Sequence, residues 1–457
     1  MRLLFDRGTL VLDDPPASFD PTQLPGVRWD ARVQAYRAPA RCYPTIRTEL
    51  VRHDIPFSDG VRQPGRPTGP WSAIELRPYQ EAALCAWELG GRRGLVVLPT
   101  GSGKTRVAIA AMARTRLPAL CLVPTRVLLH QWLRVLRPVY PDAIGCLGDG
   151  SRELAPVTVA TVESAYRGME RLGSRFDLLV VDEAHHFGTG FRDEALEMAI
   201  ATARLGLTAT PPRAGAAATR LAELIGPTVY ELAIRDLAGG FLASFDAITL
   251  HLDLTEAERA SYAALVAPFR AFHAQVRRLA PAASWQDFVR LAGRSPEGRH
   301  ALSAWRQAQK LLALTDAKRE ALRVLLARHR EARTLVFTAD NAAAYAIARE
   351  HLIMPITCDI GRTERDAALE RFGRGELRAL VSARVLNEGL DVPDADVAII
   401  VGSSLGEREH VQRVGRLLRP AEGKRAWVYE LVSRKTGEVR QARRRRAGLG
   451  SGVAAPI

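Results

Sequence analysis

Several features are scarce in this sequence, and each scarcity excludes a class of protein. No window approaches about 18 uninterrupted apolar residues, so a membrane-spanning helix is not expected. Met1 to Leu12 alternates apolar residues with Arg2, Asp6 and Arg7. It has no apolar core of the kind a secretory signal needs, and a cytoplasmic protein is the expectation. Cysteine is sparse: Cys42, Cys85, Cys121, Cys146 and Cys358 form no Cys-x-x-Cys pair and none stands beside a histidine at metal spacing. Buried free thiols are expected, rather than disulfides or a zinc site. Lysine is scarcer than its charge class suggests, since only Lys104, Lys310, Lys318, Lys424 and Lys435 occur and arginine supplies the rest. That bias, with the many alanines, fits a GC-rich genome as well as a function. There is no short-period repeat.

What is abundant is positive charge. The 457 residues carry a net charge of +14, which favours a polyanionic partner without distinguishing DNA from RNA. Hydrophobic residues make up 47%, enough for ordinary packed cores, and the length suits two to four domains.

Residues 1–72 read as a small separate unit. Apolar runs at Arg2–Phe5 and Thr9–Leu12 flank Asp6-Arg7-Gly8 as a hairpin, a helix is expected near Thr45–His53, and the Gly- and Pro-rich stretch Ser58–Gly69 reads as a linker. From Ile74 to about Tyr230, short apolar runs alternate with helical stretches: Gly94–Leu98, Ala119–Val123, Val157–Ala160, Leu178–Val181 and Arg204–Leu207. This is the pattern of a parallel sheet covered on both faces. The alternation returns at Thr334–Phe337, Arg378–Val381, Val397–Val401 and Ala426–Leu431, while about Thr255–Arg330 is helical and rich in Ala and Arg.

Two elements carry chemistry. Pro99-Thr100-Gly101-Ser102-Gly103-Lys104-Thr105 lies between an expected strand and an expected helix. Glycines there let backbone N–H groups approach phosphates, and the helix N-terminus favours their charge. Lys104 would reach the β- and γ-phosphates of ATP and Thr105 would hold Mg²⁺. The strict pattern wants Gly where Leu98 stands, but the Gly-Ser-Gly-Lys-Thr centre is intact. The second element is the strand Leu178–Val181 followed by Asp182-Glu183-Ala184-His185. Asp182 can bind Mg²⁺ through water, and Glu183 can orient and polarise the attacking water.

With both in place the chain resembles a superfamily 2 helicase. Leu76-Arg77-Pro78-Tyr79-Gln80 resembles the family's adenine-reading segment, with Arg77 and Gln80 at the nucleotide. Val123-Pro124-Thr125-Arg126 resembles its first strand-contacting motif, which implies DNA contacts for Thr125 and Arg126. Thr208-Ala209-Thr210-Pro211 resembles the motif that couples hydrolysis to movement, so Thr208, Thr210 and His185 are coupling candidates. Asn387-Glu388-Gly389-Leu390-Asp391 resembles the fifth motif, with Gly389 and Asp391 near the nucleotide. The segment from Gln412 to Arg419 resembles the sixth, which makes Gln412, Arg416 and Arg419 catalytic candidates. An arginine finger of this kind contributes roughly 10³–10⁵ in rate.

Within the superfamily the resemblance is to XPB-type DNA repair helicases in their short archaeal and bacterial form. It is carried by Pro25–Asp30 with Tyr36–Ala40, by Ser284–Phe288 with Ala304-Trp305, by Val381–Pro393, and by Leu431–Val439. It implies an α/β fold of two RecA-like parallel-sheet domains in tandem, a small N-terminal α+β domain and a helical thumb-like insertion. The boundaries expected are 1–72 for a damage-recognition-like domain and linker, 73–232 for the first helicase domain and 233–457 for the second. The insertion falls at 255–330 and a basic tail at 440–457. The resemblance also implies ATP and Mg²⁺, DNA as substrate with 3′→5′ polarity, a repair nuclease as partner and a monomeric chain without membrane contact.

One departure stands out. XPB relatives carry an Arg-Glu-Asp triplet just after the third motif, and here Arg213-Ala214-Gly215 holds that place. The loss of both carboxylates puts strand separation in question more than ATP hydrolysis. Other readings stay open: an RNA-dependent ATPase, or a catalytically silent DNA-binding scaffold. Trp285, Phe288 and Trp305 read as core or as a DNA grip, Trp29 as core, His186 as local packing. Arg440 and Arg443–Arg446 read as phosphate contacts or a solvated tail.

Overall fold

The structure, a computed structural model, describes residues 1–62, 67–190, 192–211, 215–232, 244–281, 285–383, 395–402 and 425–447. The chain divides into two compact units, Met1–Ala233 and Ile234–Ile457.

The first unit opens with a five-stranded sheet. β1 (Arg2–Asp6) and β2 (Thr9–Asp13) form the expected hairpin. Arg7 and Gly8 close it with φ of 46° and 84°, the two positive values that a two-residue turn matched to strand twist requires. β4 (Ala35–Pro39) pairs antiparallel to β2, β3 (Arg28–Asp30) antiparallel to β4, and β5 (Ser58–Asp59) parallel to β1, giving the order β3-β4-β2-β1-β5. The helix Tyr43–Arg52 buries Ile46 and Leu50 in one core with Leu3, Leu10 and Leu12. The stretch from Ser58 is therefore not linker from its start. It begins as a strand, buries Val61, and sends Arg62 to Asp177 at 2.9 Å. Ile200 belongs to the same core, so the small sheet is packed on the larger one. Trp29 is half exposed and meets Tyr36 edge-on at 4.9 Å, so it is not the core residue expected.

The larger sheet has eight strands: β6 (Arg93–Val97), β7 (Ala119–Val123), β8 (Ile144–Gly148), β9 (Ser151–Glu153), β10 (Val157–Thr161), β11 (Leu178–Val181), β12 (Ala203–Thr208) and β13 (Thr228–Glu231). Their order is β13-β6-β12-β11-β7-β10-β8-β9, parallel except for the β8–β9 pair. The central strands are buried on both faces, which is why they read as unbroken apolar runs. Threonines open the following helices. The Thr125 hydroxyl accepts from Leu128 N at the head of Arg126–Leu136, and Thr161 does the same for Ser164 N at the head of Val162–Leu172.

The second unit holds β14 (Ser244–Leu252), β15 (Thr334–Phe337), β16 (Met354–Ile356), β17 (Ala379–Ser382), β18 (Val397–Ile400) and β19 (Arg425–Ser433), all parallel in the order β14-β19-β18-β15-β17-β16. Between β14 and β15 the expected helical insertion is present as Glu256–Leu279, Trp285–Gly293, Pro296–Ala313 and Asp316–Arg328. Its aromatic residues split: Phe288 is core with Val276 and Leu302, while Trp285 stacks on Phe288 with half its surface exposed. The arginine run begins on a helix, Gly437–Ala447, that buries Ala442 and leaves Arg440 and Arg443 exposed.

Candidate active site

The strand order assembles the site. β6, β12, β11 and β7 are neighbours and end level, with Thr208 opposite Val97 and Val181 opposite both Gly206 and Leu122. The loops that leave their carboxyl ends therefore lie side by side, the usual ligand position in an open parallel sheet. These four loops carry the Gly-rich segment, Thr208–Thr210, Asp182–His185 and Pro124–Arg126.

The Gly-rich loop is built to receive an anion. Gly101 and Gly103 have φ of 82° and 79°, which glycine adopts without strain. A Cβ at Gly103 would come within 2.5 Å of Gln80 Nε2. Lys104 begins the helix Lys104–Thr115 and Thr105 follows in its first turn, so the helix N-terminus adds its positive end. The Lys104 ammonium is buried, and among the described residues its hydrogen bonds are long ones to the carbonyls of Leu98 (3.3 Å) and Pro99 (3.4 Å). The Thr100 hydroxyl is buried without a hydrogen-bond partner. An unsatisfied hydroxyl and a weakly held ammonium beside a helix N-terminus fit a phosphate chain. Ser102, by contrast, is structural: its hydroxyl donates to Pro99 O at 2.6 Å. Gln80 is buried, accepts from Arg77 N at 2.9 Å and donates to Ser102 O at 2.7 Å. It thus ties the adenine-reading segment to the phosphate loop, with one N–H and one lone pair left over.

The acidic pair is differentiated by its surroundings. Asp182 is buried, and burial pushes its carboxyl above the usual range. The Trp132 indole, the nearby Lys104 charge and the Glu183 N–H pull it back down. Trp132 Nε1 donates to Asp182 Oδ2 at 2.8 Å and Glu183 N to Oδ1 at 3.0 Å. Glu183 has φ 48° and ψ 50°, a left-handed conformation uncommon for a non-glycine residue and typical of functional strain. His185 is buried, with Nδ1 3.0 Å from the Thr208 hydroxyl and 3.4 Å from Glu183 Oε2. Thr208 in turn donates to Thr210 O and accepts from Thr210 N, at 3.2 and 3.1 Å. A continuous contact path therefore runs from the acidic pair to the next loop. One carboxylate, one hydroxyl and substrate phosphates are a donor set that suits Mg²⁺, which keeps several waters and takes oxygen ligands.

An open groove of about 1190 Å³ in this unit is lined by Pro124, Arg126, the β8–β9 turn, the helix Val162–Leu172 and Phe5 and Arg7 of the small sheet. Six arginines line it against three carboxylates. Arg126 is exposed there and pairs with Asp149 at 3.4 Å, while Thr125 is committed to capping its helix.

Gly389, Asp391, Gln412, Arg416 and Arg419 lie outside the described residues, as do Arg213 and Ala214. Two residues of the site escaped the sequence reading. Tyr79 donates to Ser102 O at 2.7 Å, and Trp132 holds Asp182. Tyr79 stands inside a quoted motif. Nothing in its own neighbourhood of the sequence marks Trp132.

Comparison with known proteins agrees with this geometry. Residues 3–61 match the Xeroderma pigmentosum group B helicase damage recognition domain, 73–213 the type III restriction enzyme res subunit, and 317–421 the helicase conserved C-terminal domain. The DNA 3′-5′ translocase XPB2 of Sulfurisphaera tokodaii is 34% identical over 423 residues, covering 92% of this chain and 96% of that one. The chain belongs to the XPB-type DNA helicase family. The DNA 3′-5′ helicase XPB of Mycobacterium tuberculosis is 30% identical over 82% of this chain, which spans only 64% of that longer XPB protein. Among solved structures, the Pyrococcus furiosus Hef helicase domain has a TM-score of 0.54 at 19% identity, covering 82% of this chain and 98% of that domain. Saccharomyces cerevisiae Dbp5 bound to RNA and ADP BeF3 has a TM-score of 0.56 at 16% identity, covering 83% and 89%. These two share the fold of this chain: two RecA-like parallel sheets. No helix among the described residues is long and apolar enough to cross a membrane.

Proposed function

We propose that this chain is an ATP- and Mg²⁺-dependent DNA translocase serving DNA repair. The observation that carries the reading is the convergence of Lys104, Asp182, Glu183 and the His185–Thr208 pair at the level ends of β6, β11 and β12. It is found in a chain that matches a DNA 3′-5′ translocase over nearly its whole length. In this reading the loop amides and Lys104 bind the β- and γ-phosphates, and Gln80 fixes the adenine segment against the loop. Thr105 and Asp182 hold Mg²⁺, which when bound neutralises phosphate charge. Glu183 orients the water and takes its proton. Arg416 and Arg419, with Gln412, act on the γ-phosphate, and Gly389 and Asp391 complete the nucleotide site. The arginine-lined groove, with Arg126 and Arg7 among its lining residues, takes the phosphates of DNA, and polarity is 3′→5′. A nuclease partner and a monomeric motor belong to the same proposal.

The test is the ATPase rate without polymer and with single-stranded DNA, duplex DNA and RNA. DNA is expected to raise the rate well above both the polymer-free and the RNA values. Equal stimulation by RNA would make this an RNA-dependent ATPase, and no hydrolysis under any condition would leave only a DNA-binding scaffold.

A further inference from the structure

The helix Arg126–Leu136 presents two faces to two different sites. Its buried stripe is Leu129, Trp132, Leu133 and Leu136. Its outer face carries Arg126 and His130, both held by Asp149 in the groove, at 3.4 and 2.7 Å. An indole N–H buried in a core needs an acceptor, and a backbone carbonyl usually serves. Trp87 follows that rule, donating to Arg204 O at 2.9 Å. Trp132, only 1% exposed, does not. Its N–H goes to Asp182 Oδ2 at 2.8 Å, across 50 residues of sequence. With Glu183 N on Oδ1, each oxygen of Asp182 has one fixed donor, so the plane of the carboxylate is set from both sides.

We infer that Trp132 is a positioning residue of the ATP site, and that the helix Arg126–Leu136 transmits the state of the arginine-lined groove to Asp182 through it. The inference rests on the reading of the ATP site given above. The helix is a rigid rod at about 1.5 Å per residue, so Arg126 and Trp132 are roughly 9 Å apart along one axis. A polyanion that takes Arg126 and His130 from Asp149 shifts or tilts that rod. The indole N–H moves with it, and the carboxylate turns. This path is separate from the His185–Thr208 contact, which joins the acidic pair to the loop after β12. It enters the site from the helix that follows β7 instead.

The alternative is that Trp132 only fills the core. Trp132→Phe separates the two, because the ring stays while the N–H is lost. Binding of a fluorescent ADP analogue is titrated with Mg²⁺ for the wild type and for Trp132→Phe, and again in chelator without metal. The Mg²⁺ concentration at half-saturation is expected to rise about tenfold, the lower range for a hydrogen bond to a charged group. Metal-free nucleotide binding should stay unchanged, and the ratio of DNA-stimulated to polymer-free ATPase should fall. A wild-type Mg²⁺ midpoint with a wild-type stimulation ratio overturns the inference, whatever happens to thermal stability. Lys104→Ala is run beside it. If that variant binds Mg²⁺ and the analogue normally, the ATP-site reading itself is wrong. If it loses binding while Trp132→Phe matches the wild type, only the role of Trp132 is wrong. Should Trp132→Phe fail to fold, the wild type gives the answer through its seven indole N–H signals. Addition of Mn²⁺ and ADP should broaden one indole signal beyond the rest, and duplex DNA added to the metal-free protein should shift that same signal. An indole signal that ignores DNA would rule out transmission.

Discussion

Asp182 and Glu183 are adjacent and chemically alike, yet the fold gives them different surroundings. Asp182 is locked by two donors in a buried place, while Glu183 is held in a left-handed backbone conformation that sets its side chain apart. Such a conformation costs roughly 1–3 kcal/mol and is retained where geometry matters more than stability. Glutamine has the same shape and the same backbone preferences, so Glu183→Gln changes only the charge and the basicity. We expect nucleotide affinity close to wild type and a kcat lower by about 10²–10⁴, the range general-base catalysis contributes. Lys104→Ala should instead weaken nucleotide binding, since its ammonium sits in the Gly-rich loop with long carbonyl contacts to leave. Equilibrium binding and single-turnover hydrolysis on the same preparations decide the matter. Near-normal turnover in Glu183→Gln would move the base to another residue.

At the scale of elements, the arginine-rich C-terminal helix is tied down by one buried ion pair. Lys318 is fully buried and donates to Leu312 O at 2.6 Å and to Glu438 Oε1 at 2.8 Å, while Glu438 Oε2 accepts from Ser433 N at 2.9 Å. Removing one partner of such a pair leaves an uncompensated charge, a loss of about 3–5 kcal/mol. Lys318→Met should therefore lower the urea midpoint of the second unit, and Lys318→Met with Glu438→Gln should regain most of it, because the amide oxygen still serves Ser433 N. A double variant as unstable as the single one would show that the lysine acts through packing. This pair also marks the limit of what could be read beforehand. Elements that carry their own signal were legible: the doubly buried strands β7, β10, β11 and β15, the hairpin at Arg7-Gly8, and the phosphate loop between strand and helix. Edge elements were not. β16 is three residues with Pro355 in the middle, which an edge strand tolerates, and β8, beside the edge strand β9, has its apolar run interrupted by Gly145. β5 is two residues taken for linker. Within the site, the chemistry-bearing residues lie in contiguous stretches and could be found. Trp132 and Tyr79 act on partners 50 and 23 residues away, and only the strand order brings them together.

For the whole molecule the question is what ATP hydrolysis accomplishes on DNA. Relatives carry two carboxylates after the third motif, where Ala214 and Gly215 stand here. Negative side chains beside a DNA path repel one strand's phosphates and so act as a wedge. Gly215 has φ 142° and ψ −176° and opens the helix Ala216–Leu224. That region of backbone space is essentially reserved for glycine. The position therefore has open space around a would-be Cβ and yet resists any side chain. In this backbone conformation a carboxylate side chain at position 215 would be strained. Neither Ala214 nor Gly215 is among the residues proposed to act on ATP, and the His185–Thr208–Thr210 contacts lie ahead of them in the loop, so ATP hydrolysis should survive this change. We expect strong DNA-stimulated ATPase, displacement of a bound block from duplex DNA, and weak opening of a forked duplex. A carboxylate restored by Ala214→Glu, which leaves Gly215 in place, should raise fork opening by more than it raises ATPase. Vigorous fork opening by the wild type, with no gain from Ala214→Glu, would mean that strand separation in this chain is done elsewhere.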